Sequence, residues 1–126
     1  MAVILPVCAK ICPKGWHVPS QTDWNTLLDF LGGDTESVSK MKVTGRAYWE
    51  GSNADASNRS GFSALPGGEC TYGGDFWNKG RCGKWWTSSE ENKIAAWSRL
   101  LDVKVGRVTA VSDDKTLGMS VRCIKD

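Results

Sequence analysis

The sequence predicts a single α+β domain, with helices in the first part of the chain and strands in its second half. An amphipathic helix pattern follows a capping sequence at Ser20, and segments of strand composition dominate from residue 85 onward. The 126 residues are near the usual size of one domain. Apolar residues make up 40% and charged residues 24%, which is ordinary for a globular protein with one modest core. We therefore expect residues 1–126 to form one domain.

The first helix is predicted to begin at Ser20. Ser20 is a typical N-cap residue, and Asp23 stands three residues later, where it completes an Asp version of the capping box. Large apolar residues recur at i, i+3, i+4 and i+7, and they are Trp24, Leu27, Leu28 and Leu31. Gly32 and Gly33 supply a left-handed stop. We expect the apolar face of this helix to pack on a sheet.

Shorter elements are predicted after this helix. A second helix is expected from an Asp34 cap to Lys42, and residues 50–61 are almost all turn formers, which predicts a long irregular surface loop. Five segments have strand composition, and they are residues 62–66, 85–89, 95–101, 107–111 and 119–123. The second half of the chain is therefore expected to form an antiparallel sheet.

Charge and hydropathy argue against two classes of partner. The net charge is +2, and Lys and Arg are scattered among Asp and Glu, so no basic stripe indicates a nucleic-acid-binding surface. No stretch approaches the roughly 20 apolar residues of a membrane helix, so we expect no membrane insertion by this domain. The run at residues 2–7 is too short for a signal peptide and lacks a basic leader. The chain is expected to begin inside a strand, as a domain cut from a longer protein.

The five cysteines, at positions 8, 12, 70, 82 and 123, raise the question of the redox compartment. Metal ligation would need close Cys/His pairs, but Cys8 and Cys12 have no second pair near them and His17 is the single histidine. A loop-rich domain with several cysteines is more often held together by disulfides, which form in oxidising compartments. We therefore expect disulfides, an extracellular or cell-surface location, and no metal or other cofactor.

Four segments together resemble a known family in their order and spacing. They are Cys12 to Ser20 with Trp24, Asn58 to Gly68, Trp85 to Glu90, and Gly118 to Cys123. Over residues 11–126 they resemble the Fibrobacter succinogenes major paralogous domain. The resemblance implies a C-type-lectin-like fold, with two N-terminal helices on a small twisted antiparallel sheet with long loops, and usually a bacterial exported or lipid-anchored surface protein. The family usually extends further upstream, and we expect that portion to be missing here.

The resemblance favours a binding module over an enzyme. Formylglycine-generating enzymes and the variable proteins diversified by retroelements share the fold, and Val18 to Trp24 is similar to a Leu-Pro-Thr-Glu-x-Glu-Trp stretch of those enzymes. Their catalytic cysteine pair has no match here, and neither do the Glu-Pro-Asn and Trp-Asn-Asp motifs of calcium-dependent sugar binders. His17 is interpreted as structural, because no nucleophile motif or carboxylate orienter is recognisable near it. An enzyme of the formylglycine-generating type, or an unknown hydrolase, is the alternative.

The tryptophans are expected to divide between core and ligand face. Trp16, Trp24 and Trp86 lie inside the family motifs and are expected in the core, whereas Trp77 and Trp97 lie between motifs. In related lectin-fold proteins this inter-motif region forms the ligand face, and exposed aromatic rings beside Arg or Asn suit recognition. The predicted ligand-binding residues are Tyr72, Asp75, Trp77, Asn78, Arg81, Lys84, Trp97 and Arg99. The predicted ligand is a glycan, a protein or a small molecule, and in a diversified receptor these positions would vary between copies.

The resemblance also suggests how the cysteines pair. Cys12 and Cys123 fall in family motifs at opposite ends of the domain, and lectin-like domains bring their termini together on adjacent strands, so we pair these two. Cys70 and Cys82 both depart from the family pattern within one Gly-rich segment, which suggests a second, local bridge. Cys8 is then a free thiol, an intermolecular bridge, or a competing partner of Cys12.

Overall fold

The computed structural model describes residues 11–126, and within them the fold is α+β, with two helices and three small antiparallel sheets. The helices are α1 (Gln21–Phe30) and α2 (Ser37–Met41). The strands are β1 (Trp16–His17), β2 (Glu69–Cys70), β3 (Phe76–Trp77), β4 (Cys82–Glu90), β5 (Ala95–Asp102), β6 (Val108–Asp114) and β7 (Ile124–Lys125). The predicted α+β class is confirmed, although β1 precedes both helices. The expected opening strand lies outside the described residues.

The N-terminus of α1 has the hydrogen bonds that its capping sequence predicts. The backbone N–H of Asp23 donates to Ser20 Oγ over 3.1 Å, and the backbone N–H of Ser20 donates to Asp23 Oδ2 over 2.9 Å. At the other end, the N–H of Gly33 donates to the carbonyl of Leu28 over 2.8 Å, with Gly33 at a φ of +109°. Local sequence therefore defines both ends of this helix.

The main core lies between α1 and the three-stranded sheet β4-β5-β6. In this sheet β5 is central and antiparallel to both neighbours. The buried side chains of this core cluster are Trp24, Leu28, Leu31, Val38, Met41, Trp49, Ala64, Trp85, Leu101 and Val108. The apolar face of α1 thus packs on a sheet, as its periodicity predicts. None of the described helices is long and apolar enough to cross a membrane.

Three of the predicted elements differ from the structure. The second helix begins at Ser37 rather than near Asp34, and no side-chain cap precedes it. Residues 62–66 form no strand beyond a single bridge at Ala64, because Ser63 adopts a φ of +55° outside the β region. Residues 119–123 likewise form only an isolated bridge, at Ser120, and the final strand is β7.

The two ends of the described chain are joined by a ladder and a disulfide. β1 pairs antiparallel with β7, and the disulfide between Cys12 and Cys123 spans a Cα–Cα distance of 5.7 Å. The predicted pairing of these two cysteines is confirmed. Since Cys12 is occupied, it is not the partner of Cys8, which lies outside the described residues.

The expected division of the tryptophans is only partly correct. Trp24 and Trp86 are buried, as predicted, whereas Trp16 is 44% exposed, on a strand that pairs only with β7 within residues 11–126. Trp49 and Trp85 are buried in the main core. Membership of a family motif therefore did not separate core tryptophans from exposed ones.

Candidate functional site

Part of the predicted ligand face is a hairpin formed by β2 and β3. The hairpin pairs Glu69 with Trp77 and Cys70 with Phe76, and its turn is closed by a 2.8 Å hydrogen bond from the N–H of Thr71 to the carbonyl of Asp75. Four of the predicted ligand-binding residues lie on this hairpin or directly after it, and they are Tyr72, Asp75, Trp77 and Asn78. All four are exposed. We call residues 69–78 the aromatic hairpin.

The aromatic hairpin presents three large rings to solvent. Tyr72 is 86% exposed, Phe76 is 68% exposed and Trp77 is 58% exposed. Aromatic side chains provide much contact area with few rotatable bonds, which suits exposed rings to recognition. Phe76 was not among the predicted residues, although its position beside Trp77 could have indicated it.

Backbone contacts hold the aromatic hairpin against the rest of the fold. Cys70 and Gly118 exchange two backbone hydrogen bonds of 2.8 Å each. Gly68 has a φ of +66°, and a Cβ there would lie 2.1 Å from the carbonyl oxygen of Trp77, so this position requires glycine. Asn78 also has a positive φ, of +60°, where the chain turns toward β4. These contacts fix the position of the hairpin relative to the rest of the fold.

A groove of about 480 Å³ adjoins the residue that follows the hairpin. Its walls include Tyr48, Leu65, Glu50 and Lys79, and we call it the side groove. Tyr48 is 57% exposed and Leu65 is 48% exposed. The sequence does not predict this groove, because Tyr48 and Trp49 are adjacent aromatic residues. Nothing in the sequence indicates that Trp49 is buried while Tyr48 lines a groove.

Lys84 was predicted on the ligand face, but the structure buries it. Lys84 is 8% exposed, and its Nζ lies 2.8 Å from Glu69 Oε2 and 2.9 Å from Asp113 Oδ1. The ammonium group is neutralised by carboxylates from two other strands, so it does not need solvent.

Arg99 is also buried, on the side of the sheet that faces α1. It is 5% exposed, its Nε donates to Gln21 Oε1 over 3.0 Å, and its Nη2 donates to Asn25 Oδ1 over 2.8 Å. Burial lowers the pKa of the guanidinium from its usual value. Arg99 therefore joins α1 to the sheet and is not exposed on the predicted ligand face.

The other two predicted ligand-binding residues lie off the hairpin. Trp97 is half-buried on the central strand β5, opposite Ser112. Arg81 is half-buried directly before β4, with its Nε 3.9 Å from Asp102 Oδ2. The structure thus places four of the eight predicted residues on the aromatic hairpin and the other four outside it. Two of those four contact the hairpin, because Lys84 pairs with Glu69 and the N–H of Arg81 donates to the carbonyl of Asn78 over 3.0 Å.

The predicted bridge between Cys70 and Cys82 is wrong, because both are free thiols. The Sγ of Cys82 donates to Asp102 Oδ2 over 3.1 Å, whereas the Sγ of Cys70 lies against the carbonyl of Thr71. Burial, together with the hydrogen bond to Asp102, raises the pKa of Cys82 to about 12. Cys82 is therefore a protonated, structural thiol at neutral pH.

His17 lies between two carboxylates that sequence reasoning did not find. Its Nδ1 is 2.7 Å from Asp126 Oδ1, and its Nε2 is 3.2 Å from Asp23 Oδ2. The hydrogen bond to Asp126 and the weaker one to Asp23 raise the pKa of His17 above its usual value. Because both ring nitrogens contact carboxylates, this histidine connects the start of α1 to the end of the chain.

Two other recesses lie away from the hairpin. An apolar one of about 370 Å³ is lined by α1 residues together with Phe62 and Arg122, and the guanidinium of Arg122 lies 4.6 Å from the Phe62 ring centroid. Another, of about 500 Å³, lies in the loop around Asn53. Within residues 11–126, no group of three or more His, Cys, Asp and Glu side chains is arranged to hold a metal ion.

The described part of the chain thus has an α+β fold, a disulfide that joins its two ends, and an exposed aromatic hairpin. The chain belongs to the Fibrobacter succinogenes major domain family, whose model matches residues 7–125. The match confirms the resemblance that the four sequence segments indicated. Comparison with curated proteins and with solved structures found no significant match.

Proposed function

We propose that this domain is an extracellular binding module that recognises a glycan, a protein or a small molecule through the aromatic hairpin. The main observation behind the proposal is the exposure of Tyr72, Phe76 and Trp77 on one hairpin that backbone contacts hold in place. Burying such rings against a ligand removes apolar surface from water at little cost in side-chain entropy. Aromatic anchors of this kind often dominate binding energy.

The surroundings of the hairpin supply polar groups that would orient a ligand. Asp75 and Asn78 are exposed on the aromatic hairpin, and Lys79 and Glu50 line the side groove. Apolar contact area with a few orienting polar groups is the usual composition of a recognition site. A ligand larger than a single ring could lie along the hairpin and enter the side groove.

We also propose that the domain has a C-type-lectin-like fold. The proposal is supported by the pairing of β1 with β7 and by the disulfide beside them, which bring the two ends together. It is also supported by the long irregular stretch between α2 and the main sheet, where the aromatic hairpin lies. In a diversified receptor of this fold, hairpin positions would vary between copies while the core stays the same.

A binding role is favoured over a catalytic one by the state of the reactive side chains. The Cys82 thiol is buried with its pKa raised to about 12, which suppresses the thiolate that nucleophilic catalysis needs. Both nitrogens of His17 contact carboxylates rather than a hydroxyl or thiol. Export is supported by the disulfide between Cys12 and Cys123, since such bonds persist in oxidising compartments.

The proposal is tested by probing glycan and surface-protein arrays with the domain and then measuring the affinity of any hit for variants. Trp77→Ala and Phe76→Ala remove hairpin rings, and Trp16→Ala and Phe30→Ala remove exposed rings elsewhere. We expect each hairpin variant to bind about 30-fold more weakly, equivalent to about 2 kcal/mol, and each control to bind like the wild type. Equal affinities across all four variants would refute the hairpin as the binding site.

A further inference from the structure

Three charged side chains meet on the face of the main sheet that points away from α1. Lys84 on β4 contacts both Glu69 on β2 and Asp113 on β6, through Nζ–O distances of 2.8 and 2.9 Å. The side chains of Lys84, Glu69 and Asp113 are 10%, 19% and 12% exposed. An amine and two carboxyl groups are therefore held together with little access to water.

Neighbouring residues complete the surroundings of this cluster. The Oγ of Ser98 on β5 donates to Asp113 Oδ2 over 2.5 Å, so the oxygen that does not face the lysine also has a partner. Trp86, two residues after Lys84 on the same face, is fully buried. Water therefore has little access to the Lys84 amine and the Asp113 carboxyl group. Their relative position is fixed by strands β4, β5 and β6.

We propose that Lys84 and Asp113 form an intramolecular amide bond, with Glu69 as the proton carrier. A lysine needs only one carboxylate to be neutralised, and this cluster has a second carboxylate in contact with the same nitrogen. That arrangement supplies a nucleophile, an acyl group and a general acid–base within hydrogen-bonding distance. The inference does not depend on the proposed binding function.

The reaction is a condensation that releases one water molecule. Glu69 first accepts a proton from the ammonium group of Lys84, which leaves a neutral amine. The amine then attacks Cγ of Asp113, while Ser98 Oγ donates its hydrogen bond to the oxygen on which negative charge develops.

Glu69 returns its proton to Oδ1 of Asp113, the oxygen that Ser98 does not contact. A second proton passes from Lys84 Nζ to the same oxygen, which then leaves as water. The C–O bond breaks as the C–N bond is completed, and Glu69 ends as a carboxylate. The ammonium and the carboxylate have become one amide and water, so charge is conserved and no oxidant, reductant or cofactor is consumed. The product links β4 to β6 across the central strand.

The proposal is tested on the full chain by mass spectrometry. The intact mass, corrected for the disulfide by reduction, is expected to fall short of the sequence mass by one water molecule. After complete trypsin digestion, cleavage after Lys84 should be blocked, and residues 82–93 should be recovered covalently joined to residues 108–115. A mass equal to that of the sequence, with both peptides separate, would overturn the proposal. So would a water loss located on a single, unlinked peptide, which indicates a cyclised aspartate.

Variants then test the role of each group. Glu69→Gln and Lys84→Arg are expected to lose the linked peptide completely and to regain the mass of water. Glu90→Gln is the matched control. Glu90 also pairs with a lysine, since its Oε1 lies 2.7 Å from Lys115 Nζ, but the Glu90 side chain is half-exposed and lies outside the cluster. It should keep the linked peptide in full. A linked peptide in Glu69→Gln would overturn the assignment of Glu69, and circular dichroism of each variant checks that it is folded.

Discussion

Removing the disulfide between Cys12 and Cys123 is expected to destabilise the domain more than most single core substitutions. The perturbation is the double change Cys12→Ala with Cys123→Ala. The two cysteines are 111 residues apart in sequence, and the chain-entropy model gives about 4.7 kcal/mol for closing a loop of this size in the unfolded chain. Domains of this size have a total stability of about 5–15 kcal/mol, so roughly a third of it at the upper limit, and nearly all of it at the lower limit, is expected to depend on this bond.

The assay is urea unfolding followed by tryptophan fluorescence, which reports on the buried Trp24 and Trp86. The double variant is compared with the wild type, and both are measured again in a reducing agent. Reduction should lower the midpoint of the wild type to that of the variant and leave the variant unchanged. A loss of less than about 1 kcal/mol would refute the reasoning, because the unfolded chain would then already keep its ends together without the bond.

Four further predictions concern pH, thiol reactivity, the hairpin and calcium. The pKa of His17, measured by NMR, is expected above 6.5 and should fall in the variant Asp126→Asn. The hydrogen bonds of His17 to Asp126 and Asp23 stabilise the fold below pH 6.5. Their contribution to stability disappears as the pH rises through the folded-state pKa of His17. In peptide mapping after alkylation of the native protein, Cys82 should react more slowly than Cys70, and equal rates would contradict its burial. Gly68→Ala should disrupt the aromatic hairpin and lower the melting temperature by several degrees, because its Cβ would clash with backbone. A chelator should change neither the melting temperature nor ligand binding, and a decrease that calcium restores would count against this expectation.

Elements defined by nearby residues were predictable from the sequence. The start of α1 depends on Ser20 and Asp23, which are three residues apart, and its end depends on two glycines. The pairing of Cys12 with Cys123 was also predictable, although through the family resemblance rather than through local pattern. The ends of α1 required no knowledge of how distant segments pack, whereas the disulfide required the family's arrangement of its termini.

Features that depend on distant partners were not predictable. Lys84 and Arg99 looked like surface residues, yet Lys84 is neutralised by Glu69 and Asp113, and Arg99 is hydrogen-bonded by side chains of α1. A charge in a sequence does not reveal whether the fold brings an opposite charge to it. The contact between His17 and Asp126 was not expected for the same reason, because these two residues are 109 positions apart in the sequence.

The covalent link between the two ends of the domain also determines how it responds to mechanical force. Tension applied from the C-terminal side first reaches β7, which lies directly after Cys123, and the disulfide then carries it to Cys12. The segment between them, including the aromatic hairpin and the main sheet, is then not stretched. A ligand held by the hairpin would pull on the domain from elsewhere, so under load the contacts that anchor the hairpin at Gly118 are expected to yield before the ends separate.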